Sequence, residues 1–171
     1  MSAPAKSMSA PRIRKMLLAD LPAVMRAERA AYEFPWTEGI FRDCLRGAYV
    51  CRVIELNRLI VGHGVMALGP GECHLLNLCV APTFQRRGFG TQLIEYLLAH
   101  ARRAGAATAL LEVRASNKQA YALYQRLGFD EIGVRKNYYP ASDGRAGGLR
   151  GIPRANPGRE HAIVLARQLS D

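Results

Sequence analysis

Acidic residues are scarce. Only 14 Asp and Glu stand against 24 Lys and Arg, which leaves a net charge of +10 over 171 residues. That imbalance favours anionic partners such as phosphates, nucleic acid or acidic surfaces, without choosing among them. Cysteine occurs four times, as Cys44, Cys51, Cys73 and Cys79, and never as a C-x-x-C pair. All four lie in apolar periodic stretches, so they read as reduced core thiols of a cytoplasmic protein. His63, His74, His100 and His161 are scattered without H-x-x-x-H spacing, so no metal site is expected. No apolar run approaches the roughly 18 residues that cross a membrane. Residues 1–11 are rich in Ser, Ala and Pro and lack the apolar stretch of a signal peptide. They read as a flexible tail. Met-Ser-Ala-Pro occurs twice there, at residues 1–4 and 8–11, which makes Met8 a second candidate start.

What is present is apolar content, at 49%, and a length that suits one domain with a real core, over residues 12–171. Residues 13–18 read as a strand. Asp20 follows as an N-cap with Pro22 in the first turn of a helix. Leu21, Val24, Met25, Glu28, Ala31 and Tyr32 recur there at helical spacing. Phe34-Pro35-Trp36 breaks that helix, and Thr37 caps a second one carrying Ile40, Phe41, Cys44 and Leu45. Residues 48–55 and 59–68 are β-rich runs joined by a short turn at Asn57-Arg58, a hairpin pattern. Residues 73–80 are apolar almost throughout, as in a central strand covered on both faces. A helix around Leu93, Ile94, Leu97, Leu98 and Ala101 ends at Gly105, and residues 108–113 form a buried strand. Ser116 reads as the cap of a helix closed by Gly128. Strands follow at residues 131–136 and 160–169. The order βααβββαβαββ describes an α/β (α+β) domain with a mostly antiparallel sheet of about seven strands and helices on both faces.

Three segments carry chemistry. Gln85-Arg86-Arg87-Gly88-Phe89-Gly90 joins a strand to a helix N-terminus. Such a turn directs backbone N–H groups and a positive dipole end outward, and its glycines admit close approach of an oxygen-rich ligand. A diphosphate fits, although an ordinary basic turn before a helix has the same appearance. It is not a nucleotide P-loop, because no Lys-Ser/Thr follows the second glycine, nor a Rossmann fingerprint, because the third glycine is missing. Glu112 interrupts an apolar strand. A carboxylate there is paired, solvated through a cleft, or functional, and Arg114 is the near candidate for a structural partner. Tyr124 lies twelve residues later on the apolar face of a helix, where core packing is the ordinary role.

Taken together, these pieces resemble the GCN5-related N-acetyltransferase superfamily, whose turn reads Gln/Arg-x-x-Gly-x-Gly/Ala. The resemblance runs from about residue 13 to the last strand. It narrows at Phe34-Pro35-Trp36-Thr37, Leu111-Glu112-Val113-Arg114-Ala115-Ser116-Asn117 and Asn137-Tyr138-Tyr139-Pro140, which look like the bacterial ribosomal-protein-alanine N-acetyltransferases of the RimI type. The resemblance implies acetyl-CoA as cosubstrate and the N-terminal alanine of a small-subunit ribosomal protein as acceptor. It implies that Leu78, Cys79 and Val80 follow the pantetheine arm. Arg86, Arg87, Gly88, Phe89, Gly90 and Thr91 would hold the pyrophosphate, with Asn117 near the thiol end. Glu112 would be the general base and Tyr124 the general acid, while Phe34-Pro35-Trp36 would border the peptide groove. Residues 146–159 depart from the family as a loop insertion, which puts peptide selectivity in question.

This chemistry is coherent on independent grounds. An α-amine of pKa about 7.7–8.0 must shed a proton before attack, and a carboxylate takes it directly or through water. A phenol of pKa about 10 stays protonated and can donate to the departing thiolate. No covalent intermediate is needed, and no histidine is spaced to activate Cys79 as a nucleophile. Two other readings stand beside this one: a broader acetyltransferase of N-termini or small amines, and a nucleic-acid-binding module prompted by the charge. No helix-turn-helix, zinc or stacking-aromatic motif supports the latter. Weak contact with ribosomal RNA through the basic surface is compatible with the first reading.

Overall fold

The computed structural model describes residues 9–142 and 155–169. Most of the tail and the greater part of the insertion lie outside these residues. The strands are β1 (Arg12–Lys15), β2 (Val50–Leu56), β3 (Leu59–Gly69), β4 (Glu72–Val80), β5 (Thr108–Arg114), β6 (Asp130–Pro140) and β7 (Arg159–Gln168). The helices are α1 (Leu21–Ala31), α2 (Glu38–Arg46), α3 (Phe89–Arg103) and α4 (Lys118–Arg126). The chain order is the βααβββαβαββ expected from the sequence. The seven strands form a sheet in the order β1-β2-β3-β4-β5-β7-β6. β4 and β5 are parallel, while β1–β2, β5–β7 and β6–β7 are antiparallel. α3 supplies the long crossover that a parallel pair requires.

The described residues group into two compact units. The first holds the chain up to Val65 and residues Asn77–Tyr96, and the second holds Met66–Leu76 and the chain from Leu97 onward. In the first unit, one core cluster contains Met16, Leu21, Val24, Met25, Phe41, Cys44, Cys51, Val53 and Val65, with Trp36 packed against it. A second contains Ile54, Leu56, Val61 and Phe89. Phe41 is fully buried, and truncating such a ring to Ala costs about 3–5 kcal/mol. In the second unit Leu97, Leu98, Leu111, Phe129 and Leu165 are the largest fully buried side chains with Met66.

Local chemistry explains the element ends. Asn57 and Arg58 both have positive φ, 50° and 66°, the geometry that a two-residue hairpin turn needs to match strand twist. Thr37 caps α2 by accepting the Ile40 N–H at 3.3 Å. Gly128 is left-handed with φ 81°, where a side chain would be strained.

Two caps differ from expectation. Asp20 precedes α1, but its carboxylate makes no cap bond to that helix. It accepts the Leu17 N–H at 2.8 Å and pairs with Arg14 at 2.7 Å, and this pairing holds its carboxyl below the usual carboxylate range. α4 is capped by Asn117, not Ser116. The Asn117 Oδ1 accepts the Ala120 N–H at 3.1 Å, while the Ser116 N–H donates to Glu160.

Candidate active site

The turn after β4 and the end of β4 lie in the first unit. A single 3-10 turn spans Pro82–Phe84, and the Gln85 side chain ties it back by donating to the Val80 carbonyl at 3.0 Å. Arg86 (φ 62°) and Gly88 (φ 83°) both adopt the left-handed conformation before α3 begins at Phe89. A Cβ built on Gly88 would meet nothing within 4 Å, so that position opens onto free space. Arg86, Arg87 and Gly88 are exposed, Phe89 is buried, and Gly90 and Thr91 are half-buried. The Arg87 guanidinium lies over the Phe84 ring, 5.3 Å from its centroid. N–H groups of a helix's first turn have no intrahelical acceptor, and two cations flank them here. This arrangement suits a diphosphate.

β4 pairs with β5 only from Glu72↔Thr108 to Leu75↔Leu111, although it continues to Val80. The backbone of residues 76–80 is therefore not paired by β5. Leu78 and Val80 are half-buried, and Cys79 points into the interior. The Tyr32 hydroxyl donates to the Leu78 carbonyl, an interaction that the sequence did not suggest. All four cysteines are free and buried. Burial, with Glu28 nearby, pushes the Cys79 thiol far up, which keeps it protonated and unreactive.

Glu112, Asn117 and Tyr124 lie in the second unit. The Glu112 Oε1 pairs with Arg135 Nε at 2.9 Å. Arg114, the partner suggested by sequence proximity, goes instead to Glu160 at 2.9 Å and to the Pro140 carbonyl at 2.6 Å. The Glu112 Oε2 makes no hydrogen bond among the described residues, and the side chain is 13% exposed. Tyr124 is buried, with its ring edge-on to Phe129 at 5.8 Å. Loss of solvation pushes its phenol up to about 12.

Tyr139 also belongs to this group. Its hydroxyl donates to the Glu112 carbonyl at 3.3 Å, and the Arg114 guanidinium lies 4.4 Å from its ring centroid. Burial first, then the Glu112 charge, raises its phenol well above the ordinary value, with Tyr124 adding to the effect. The sequence marked Tyr139 only as part of a matching segment.

The sequence profile of the acetyltransferase (GNAT) family matches residues 12–129. The chain belongs to the GNAT acetyltransferase family. The acetyltransferase is 39% identical over 151 residues to a [ribosomal protein bS18]-alanine N-acetyltransferase of Escherichia coli, covering 88% of this chain and 93% of that one. The crystal structure of the E. coli ribosomal-protein-S18-alanine N-acetyltransferase superposes with a TM-score of 0.81 at 35% identity, covering 95% of this chain and 96% of that one. A GNAT acetyltransferase from Elizabethkingia anophelis, solved with acetyl-CoA bound, shares the fold at a TM-score of 0.70 and 20% identity, covering 92% and 97% of the two chains.

Proposed function

We propose that this acetyltransferase moves an acetyl group from acetyl-CoA to the N-terminal α-amine, an alanine, of a small-subunit ribosomal protein. The observation that carries the substrate is the near-full-length likeness to the bS18-alanine enzyme. The geometry supports the chemistry. The Arg86–Thr91 turn, with its open Gly88 position, fits the cosubstrate's diphosphate. The stretch of β4 beyond its pairing with β5, with Leu78, Cys79 and Val80, offers backbone groups to the pantetheine arm. Asn117 spends its Oδ1 on the α4 cap, so Nδ2 is the atom it offers near the thiol.

Glu112 takes the proton of the α-ammonium through Oε2, directly or by way of one water, while Arg135 holds Oε1 in place. The amine nitrogen attacks the thioester carbonyl. The carbon–sulfur bond breaks, and Tyr124 returns a proton to the sulfur. Burial keeps that phenol protonated where the amine is already neutral. Cys79, buried and protonated, forms no acyl-enzyme. Residues 12–171 act as one catalytic domain in the cytoplasm, and the reaction uses no metal. No described helix is long and apolar enough to cross a membrane.

A panel of peptides differing in the first residue, with small amines alongside, incubated with labelled acetyl-CoA, tests the assignment. Label concentrated on the alanine-initiated ribosomal peptide is expected. Equal labelling across the panel would favour a broader acetyltransferase, the reading for which the insertion near 146–159 leaves room.

A further inference from the structure

Among the described residues is a buried ionisable cluster that the proposed chemistry does not use. Glu28, on α1, is 1% exposed and His63, on β3, is 0% exposed. Their side chains meet through Oε2 and Nε2 at 2.9 Å. The other carboxylate oxygen accepts two more hydrogen bonds, from the Asn77 Nδ2 at 3.1 Å and from the backbone N–H of Trp36 at 3.0 Å. Rings close the circuit: Trp36 lies 5.4 Å from Phe41, and Phe41 lies 5.3 Å from His63, edge to face. Gly62 lets β3 approach β4 beside His63, since a Cβ there would sit 2.6 Å from the Cys79 carbonyl oxygen.

The network is expensive. A carboxylate is taken out of water, and the buried His63 Nδ1 and Asn77 Oδ1 find no partner among the described residues. Apolar residues of the same volume would commonly serve stability as well or better. What apolar residues could not do is accept the Trp36 N–H. The ligand atoms of Glu28, His63 and Cys79 lie within 4.8 Å of one another. However, Glu28 and His63 already satisfy each other directly, and the second Glu28 oxygen is taken by Asn77 and the Trp36 N–H, so the cluster is built as a hydrogen-bond anchor.

We propose that Glu28 is a positioning residue: through the Trp36 N–H it fixes the Phe34-Pro35-Trp36 segment for peptide capture, with His63 and Asn77 holding the carboxylate for that task. This rests on the reading that the segment borders the peptide groove. Phe34, 39% exposed, is the side chain the anchored segment would present to a peptide.

Trp36 is the chain's one tryptophan, so its fluorescence reports the segment alone. Glu28→Met removes the acceptor at similar volume, whereas Glu28→Gln keeps one oxygen for the Trp36 N–H. In Glu28→Met, KM for the alanine peptide should rise about 10–100-fold, the loss expected for one charge-assisted hydrogen bond. Its kcat and coenzyme A affinity should stay within about twofold, and Trp36 emission should shift and become more quenchable. Glu28→Gln should recover most of the KM and the emission. Unchanged KM and emission in Glu28→Met, or equal losses in both variants, would overturn the proposal.

If Glu28→Met does not fold, amide exchange in the wild-type protein decides. Slow exchange of the Trp36 N–H is expected, and exchange as fast as an exposed amide would overturn the anchor. A wild-type protein that binds coenzyme A yet acetylates no peptide would instead refute the functional reading, with emission and exchange still judging the anchor.

Discussion

The two oxygens of Glu112 stand in different circumstances, one held by Arg135 and the other without a hydrogen bond among the described residues. Glu112→Gln keeps the shape and removes the carboxylate proposed as the base. Turnover should fall roughly 10²–10⁴-fold, with coenzyme A affinity unchanged. Activity should recover at high pH, where solvent deprotonates the amine. Steady-state rates across pH, with calorimetric titration of coenzyme A, check both; near-wild-type turnover at neutral pH would refute the base role.

Tyr124 makes a second residue-scale prediction. Its hydroxyl makes no hydrogen bond among the described residues, so Tyr124→Phe should change stability at neutral pH by less than about 1 kcal/mol while turnover drops. Because burial raises the phenol to about 12, the wild-type rate should show no alkaline fall from this group until pH approaches that value. The sign for stability follows from linkage. A folded-state pKa above the unfolded value gives a contribution present below about pH 10 and lost as pH rises toward about 12. Between pH 8 and pH 11, the urea midpoint should therefore fall less in Tyr124→Phe than in wild type.

At the scale of elements, Asn117 serves as a cap and, as proposed, as a cosubstrate contact, and the two roles separate. Asn117→Asp keeps an oxygen for the Ala120 N–H and removes the Nδ2 donor. It should melt like wild type and bind coenzyme A more weakly, whereas Asn117→Ala should also lose about 1 kcal/mol of stability. Wild-type affinity in Asn117→Asp would leave Asn117 as a cap alone.

The neighbouring Ser116 shows how far the sequence reaches. Both residues are good caps, and propensity cannot choose between them. In the structure Asn117 takes the role, while the Ser116 N–H donates to Glu160 on β7. Element order is legible because apolar periodicity and turn residues are local signals, as with Asn57-Arg58. The sequence pattern ends β6 near residue 136, but the strand runs to Pro140 through register shifts around Asn137, whose φ is 52°. A left-handed residue inside a strand reads as a turn. Glu112 and Tyr124 stand out through residue type and position. The pairing of Glu112 with Arg135 does not, because Arg135 lies two strands away across β7, and strand order leaves no local trace. The same holds for Glu28: its place on the apolar face of α1 is visible, but its meeting with His63 and Asn77 is not.

At the scale of the whole molecule, the charge of +10 is compatible with an anionic partner beyond the diphosphate. If that partner is ribosomal RNA, the insertion, which carries Arg150, Arg154 and Arg159 and no acidic residue within 146–158, is the segment to test. Of these, Arg159 is already engaged, donating to the carbonyls of Asn137 and Tyr138, and the greater part of the segment lies outside the described residues. Deleting 146–158 should leave turnover on a short peptide unchanged. It should flatten the salt dependence of RNA retention by roughly 0.7–0.9 in log–log slope for each phosphate that is no longer neutralised. An unchanged slope would reject the tether, and a collapse of peptide turnover would place the segment in substrate binding.

α-Amine acetylation by direct transfer is tested by fragment mass spectrometry of one product. The wild-type protein is given acetyl-CoA and a peptide that begins with the alanine terminus of ribosomal protein bS18 and carries an internal lysine. A single acetyl group on the alanine nitrogen is expected, with none on the lysine and none left on the protein. Acetyl on the lysine, or on Cys79 of the protein, would contradict it.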